Sequence, residues 1–106
     1  MNLDLTALIH KNNKGNITSL QKLHDQDNIT YGTLREGETY RYMTMSSDEL
    51  ILKLSRFIYR NAYLLVNSRQ EGIEKVLNSN YAFIQVLIGT RVERFSHFLI
   101  KTDPLN

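Results

Sequence analysis

The chain contains no cysteine, which excludes a disulfide framework and any thiolate metal centre and leaves its redox compartment unmarked. No stretch approaches the roughly 18 apolar residues that a membrane-crossing helix needs, and the N-terminus lacks the basic-then-apolar order of a secretion signal. Internal repeats and low-complexity tracts are absent. The basic side chains do not gather into a stripe interleaved with aromatics: 13 Lys and Arg stand against 11 Asp and Glu, for a net charge of +2, so a nucleic-acid surface is not indicated. The 6 tyrosines read as packing side chains, because the RNA-binding sheet signature is missing. His10, His24 and His97 are far apart and no Ser stands in a nucleophile elbow. The sequence therefore calls for no catalytic residues, no metal and no cofactor, and does not read as an enzyme.

What is present fits one small domain, since 106 residues can bury roughly two-thirds of their unfolded surface. Three Ser/Thr-x-x-Glu/Gln boxes, Thr18 with Gln21, Ser46 with Glu49 and Ser68 with Glu71, mark helix starts. The first helix carries Leu20 and Leu23 and ends near Gln26. In the second, Leu50, Ile51, Leu54, Phe57 and Ile58 fall on one buried face; the third turns Ile73, Val76 and Leu77 inward. Between them lie runs of β-forming composition, 29–34, 62–66 and 81–88. This alternation predicts an α/β class, a small sheet with flanking helices and at least part of the sheet parallel. Residues 93–100 read as a further helix, and Asp103-Pro104 as a frayed end. Two triplets, Asn16-Ile17-Thr18 and Asn28-Ile29-Thr30, match the N-glycosylation acceptor. Each also reads as a helix cap or a strand start, and both readings stay open.

The chemistry concentrates at Tyr31-Gly32-Thr33-Leu34-Arg35-Glu36-Gly37-Glu38-Thr39, where an apolar run ends in a glycine turn that opens a helix. The free N–H groups of Glu38 and Thr39 and the Thr39 hydroxyl form a donor set suited to a carboxylate or phosphate. Gly37, Glu38 and Thr39 are the candidate ligand-binding residues.

Four segments in order, Asp4-Leu5-Thr6-Ala7-Leu8-Ile9, Ile17 through Thr39, Glu71-Gly72-Ile73-Glu74-Lys75-Val76-Leu77, and Ser79 with Tyr81-Ala82-Phe83, resemble the ionotropic glutamate receptors, particularly their kainate and AMPA branches. Spacing is kept without gaps from Ile17 to Thr39 and from Glu71 to Phe83. The resemblance implies the second lobe of a bilobed, periplasmic-binding-protein-like ligand-binding domain. It implies residues 1–10 as the end of a pore-lining helix, 11–16 as a linker and 17–106 as the lobe, with the likeness fading after about residue 84. The implied function is that of a ligand-gated ion channel subunit, part of a tetramer on the extracellular side of the plasma membrane. Lobe closure on L-glutamate or a related amino acid would open the pore, with the ligand's distal carboxylate at Gly37, Glu38 and Thr39. The first lobe, with its arginine for the α-carboxylate, would be the missing partner.

Departures from the pattern bear on the ligand. Glu38 stands where the family has a small residue and brings a second carboxylate to the site. Gln85 and Val86 stand where the family's acidic clamp for the ligand's amino group is expected. Two other readings remain: a free-standing solute-binding or interaction lobe of the same α/β design without a channel, and a divergent chemosensory relative. The apolar start, Leu3 to Ile9, favours the channel.

Overall fold

Strands whose side chains alternate between two apolar layers form the centre of the molecule. The structure, a computed structural model, describes residues 5–86 and 99–101. In chain order it comprises β1 (Leu5–Ile9), α1 (Lys11–Lys14), α2 (Leu20–Asp25), β2 (Thr30–Gly32), α3 (Glu38–Thr44), α4 (Glu49–Arg60), a 3-10 turn (Ala62–Leu64), α5 (Arg69–Asn78), β3 (Tyr81–Val86) and β4 (Leu99–Lys101). The sheet order is β2-β3-β1-β4. β2 and β3 run parallel, with Thr30 opposite Tyr81, whereas β1 is antiparallel to both neighbours and places Ala7 opposite Ile84 and Ile100. The expected α/β class with a partly parallel sheet is what forms.

One layer joins Leu5, Ala7 and Ile9 of β1 and Ala82 and Ile84 of β3 to Leu20 and Leu23 of α2, Met43 of α3, and Leu54 and Ile58 of α4. The other joins Leu8, Tyr81 and Phe83 to Val76 of α5 and to Leu64 and Val66. Each fully buried Leu, Ile or Phe contributes about 1.5–3 kcal/mol relative to exposure. The face of α4 is the one its spacing predicts, with Ile51, Leu54 and Ile58 buried.

Several expectations are corrected. The resemblance sets the chain's start at the end of a helix, but Leu5–Ile9 is a strand, with every residue buried. Five consecutive buried side chains feed both layers, which the pleat of a strand allows and a single helix face does not. The segment read as a linker contains the helical turn α1, which closes at Gly15 with φ +52°. Residues 62–66 are not a strand: the chain leaving α4 must reverse to reach the sheet edge and does so in the 3-10 turn, so that only Val66 bridges, in parallel, to Leu34. The run at 29–34 narrows to Thr30–Gly32. Thr33 next to it is fully buried and donates its hydroxyl to the Ile84 carbonyl at 2.7 Å. Leu77, expected inward, is 44% exposed, and Gly72 faces inward instead. Residues 99 and 100, read as helical, belong to β4; 93–98 lie outside the described residues.

The caps shift locally. Ser19 rather than Thr18 caps α2, accepting from Lys22 N–H, and Asp48 rather than Ser46 caps α4, accepting from Leu50 and Ile51 N–H. Ser68 caps α5 as expected, although the Glu71 carboxylate reaches back to Asn67 N–H at 2.8 Å. Gln26 joins α2 to β2: its amide donates to the carbonyls of Leu23 and Ile29 at 2.8 and 2.9 Å and accepts from Ile29 N–H at 2.9 Å.

Tyr31 packs against Phe57 with ring centroids 4.5 Å apart, and its buried hydroxyl has no hydrogen-bond partner. Burial raises the Tyr31 and Tyr81 phenols well above their ordinary value. Both stay neutral below about pH 10 in folded and unfolded chains alike. Above that the unfolded chain deprotonates first, so stability present below the unfolded pKa is lost as pH rises. Tyr31→Phe removes an unsatisfied hydroxyl and one of these groups. It is expected to be neutral or stabilising by about 1 kcal/mol at neutral pH and to shallow the alkaline loss, read by urea denaturation at pH 7 and pH 10.5. A loss of more than about 1 kcal/mol at pH 7 would show a hydroxyl that is satisfied after all.

Candidate functional site

The C-terminal ends of parallel β2 and β3 emerge at one edge of the sheet, where open α/β folds present their crevice. After β2 the chain is held flat by the Leu34 bridge: Arg35 N–H donates to the Val66 carbonyl at 2.7 Å and Val66 N–H to the Thr33 carbonyl at 3.0 Å. The Arg35 guanidinium donates to the Asn67 side chain at 3.1 Å. These contacts set the residues leading into α3 beside Asn67 and Ser68, at the start of α5.

Gly37 is the N-cap of α3, with φ 157° and ψ −179°, in a region populated essentially by glycine. It brings no side chain to the first turn, and no side chain caps it. The first N–H groups of α3 therefore have no capping side chain as a partner and keep their capacity as donors. Glu38, the first residue of the helix, is exposed. Thr39 is fixed: its Oγ1 accepts from Val86 N–H at 3.0 Å. That bond uses a lone pair and leaves the hydroxyl proton available for donation.

The three predicted site residues are thus consecutive at the start of α3 and anchored to the end of β3. The same anchor brings in Val86 and Gln85, noted in the sequence for their place in the family pattern. Arg69 escaped the sequence reading. From the start of α5 its Nη1 donates to Gln85 Oε1, so the last two residues of β3 are gripped by α3 through the backbone and by α5 through a side chain. The sequence signal was the Ser68 cap next to Arg69, which marks the helix start but not its place at the end of β3. The edge therefore presents neutral donors beside the exposed Glu38 carboxylate, with the Arg69 guanidinium engaged by Gln85 and no acidic group at Val86.

The histidines lie elsewhere: His10 Nδ1 accepts from Asn12 N–H at 3.0 Å, and His24 lies 3.2 Å from Asp25 on α2. Gln21 and His24 hold the Asp25 carboxyl below the usual range. His97 falls outside the described residues. Among the described residues no three metal-ligating side chains converge, and no helix is long and apolar enough to cross a membrane.

No family-level sequence model matches the chain. Individual proteins do. The chain is similar to the glutamate receptor ionotropic, kainate 4, of Rattus norvegicus, 36% identical over 69 residues, which cover 64% of the chain and 7% of that protein. The kainate 5 receptor of Mus musculus is 35% identical over the same coverage, and a probable glutamate receptor of Lithobates berlandieri is 31% identical over 74 residues, 69% of the chain and 15% of that protein. The chain thus spans well under a fifth of the length of these curated relatives, which are named as receptors and not as enzymes. Among solved structures, the Drosophila muscle GluRIIB complex with glutamate shares the fold with a TM-score of 0.69 and 23% identity, over 96% of this chain and 41% of that one. In sequence the chain is thus similar to ionotropic glutamate receptors of the kainate type, and it shares its fold with a solved member of that group.

Proposed function

We propose that the chain is the second lobe of the ligand-binding domain in a ligand-gated ion channel subunit, on the extracellular side of the plasma membrane. Gly37, Glu38 and Thr39 receive the carboxylate of L-glutamate or a related amino acid, and a first lobe and further subunits, four in all, complete the receptor. Support comes from the kainate-type relatives and, for the fold, from the glutamate complex. The observation that best supports this reading is the Thr39–Val86 bond, which holds the Thr39 hydroxyl at the start of α3 against the end of β3. α3 has 7 residues, so the local donors rather than a long helix dipole supply the attraction.

The test is a two-lobed receptor carrying this lobe. Thr39→Ala is expected to weaken carboxylate ligands by about 1–2 kcal/mol, on the scale of a hydrogen bond to a charged group, while Thr39→Ser retains affinity because it keeps both the acceptor and the donor. Calorimetry reads the difference. Equal affinity for all three forms would remove Thr39 from the site.

A second reading, a solute-binding or interaction lobe without a pore, is favoured by β1. Leu5–Ile9 pairs with β3 over 5 registered positions and cannot at the same time continue a pore-lining helix. In such a lobe Leu5–Ile9 serves as one of the two inner strands of the sheet.

A further inference from the structure

The edge of the sheet opposite the Gly37 turn, where β2 and β3 begin, carries a cavity of about 380 Å³ lined by Asn13, Asn16, Gln26, Asn28 and Asn80, with Ile17 and Ile29. Asn16 and Asn28 are the acceptor positions of the two Asn-Ile-Thr triplets, brought together here from either side of α2. In both triplets the central isoleucine is driven into the core, Ile17 at 8% and Ile29 at 5% exposure, while both asparagines stay exposed.

The structural duties that could explain these asparagines are taken by other residues. His10 caps α1, Ser19 caps α2, and Thr30 opens β2. The turn between α2 and β2 is tied by Gln26. Neither the Asn16 nor the Asn28 carboxamide has a hydrogen-bond partner among the described residues, so attachment of a sugar breaks no contact described in the fold. We propose that Asn16 and Asn28 are N-glycosylation sites whose glycans leave from this edge, away from the start of α3.

This inference rests on the extracellular placement proposed above. In the reaction the Asn carboxamide nitrogen attacks the anomeric carbon of a lipid-diphosphate-linked oligosaccharide. A C–N bond forms, the anomeric C–O bond breaks, the lipid diphosphate leaves with the electron pair, and the amide gives up one proton. The two sites differ in timing. Thr18 is exposed in the fold, whereas the Thr30 hydroxyl donates to the Asn80 carbonyl at 3.3 Å, so Asn28 must be modified before that contact closes.

The test expresses the full chain behind a cleavable secretion signal in a eukaryotic host and analyses the secreted protein. Expected are two mobility steps that collapse on peptide-N-glycosidase treatment, which leaves an aspartate in place of each modified Asn, detectable by peptide mass. Asn16→Gln and Thr18→Ala should each remove one step, Asn28→Gln and Thr30→Ala the other, while Thr30→Ser keeps it. Secreted protein without either step overturns the proposal, and a single step overturns it for the bare site. The same digestion on protein from its own cells separates placement from acceptance: a shift there supports both, whereas its absence beside a glycosylated secreted chain overturns the extracellular placement. Carboxylate affinity at Thr39 enters neither readout.

Discussion

Ala7→Pro is expected to unfold the isolated chain. Ala7 is the midpoint of β1, fully buried, with Ile84 on one side and Ile100 on the other. Proline there removes a ladder donor and places a ring in a strand that has neighbours on both edges, where it is not tolerated. A loss of about 3 kcal/mol or more would consume much of the 5–15 kcal/mol typical of a whole domain. Urea denaturation followed by circular dichroism reads the outcome as a collapsed or absent transition. An unchanged midpoint would take Leu5–Ile9 out of the sheet and return it to the pore-helix reading.

Gly32→Ala is expected to be equally severe for a different reason. A Cβ at this position would lie 2.1 Å from the Leu64 carbonyl oxygen and 2.6 Å from the Tyr81 hydroxyl. Neither neighbour can step aside: the carbonyl belongs to the 3-10 turn, and the hydroxyl donates to it at 2.7 Å from a ring that is 1% exposed. The methyl must therefore push the turn off the sheet, adding overpacking of about 1–3 kcal/mol to about 1–3 kcal/mol for each buried polar group left unpaired. Tyr81→Phe loses the hydrogen bond without the clash and should be the milder change. Thermal denaturation of the two variants tests the order. If Gly32→Ala were the more stable, the 3-10 turn could not be packed over β2 as described.

Much of this arrangement was legible from local pattern. The α4 face followed from its spacing, and the turn into α3 followed from Gly37, because a helix start and a glycine-only conformation are both short-range properties. That part of the sheet is parallel followed from the alternation of elements, though not which strands pair. What local pattern missed was decided by tertiary geometry. Residues 62–66 have strand composition, yet the short path from α4 to the sheet edge forces a 3-10 turn, and Leu64 and Leu65 are buried in different layers. The first residues looked like a helix end because apolar side chains in succession suit a buried helix as well as a strand with two covered faces. At the candidate site, Gly37, Glu38 and Thr39 could be named from the sequence. The Thr39–Val86 and Arg69–Gln85 contacts span 47 and 16 residues, and nothing local announces them.

The sheet order also sets a timetable. β3 lies between β1 and β2 although the ribosome makes it after both, so the two earlier strands have no partner in the sheet until Tyr81–Val86 emerges. At about 5–20 residues per second, β1 waits roughly 4–15 s as an unpaired apolar strand, the kind of edge that invites association with other chains. Loss of synthesis before residue 86 would leave no sheet at all. The nascent chain should thus depend on a holdase during that interval and gain protease resistance in one late step, not progressively from its N-terminus.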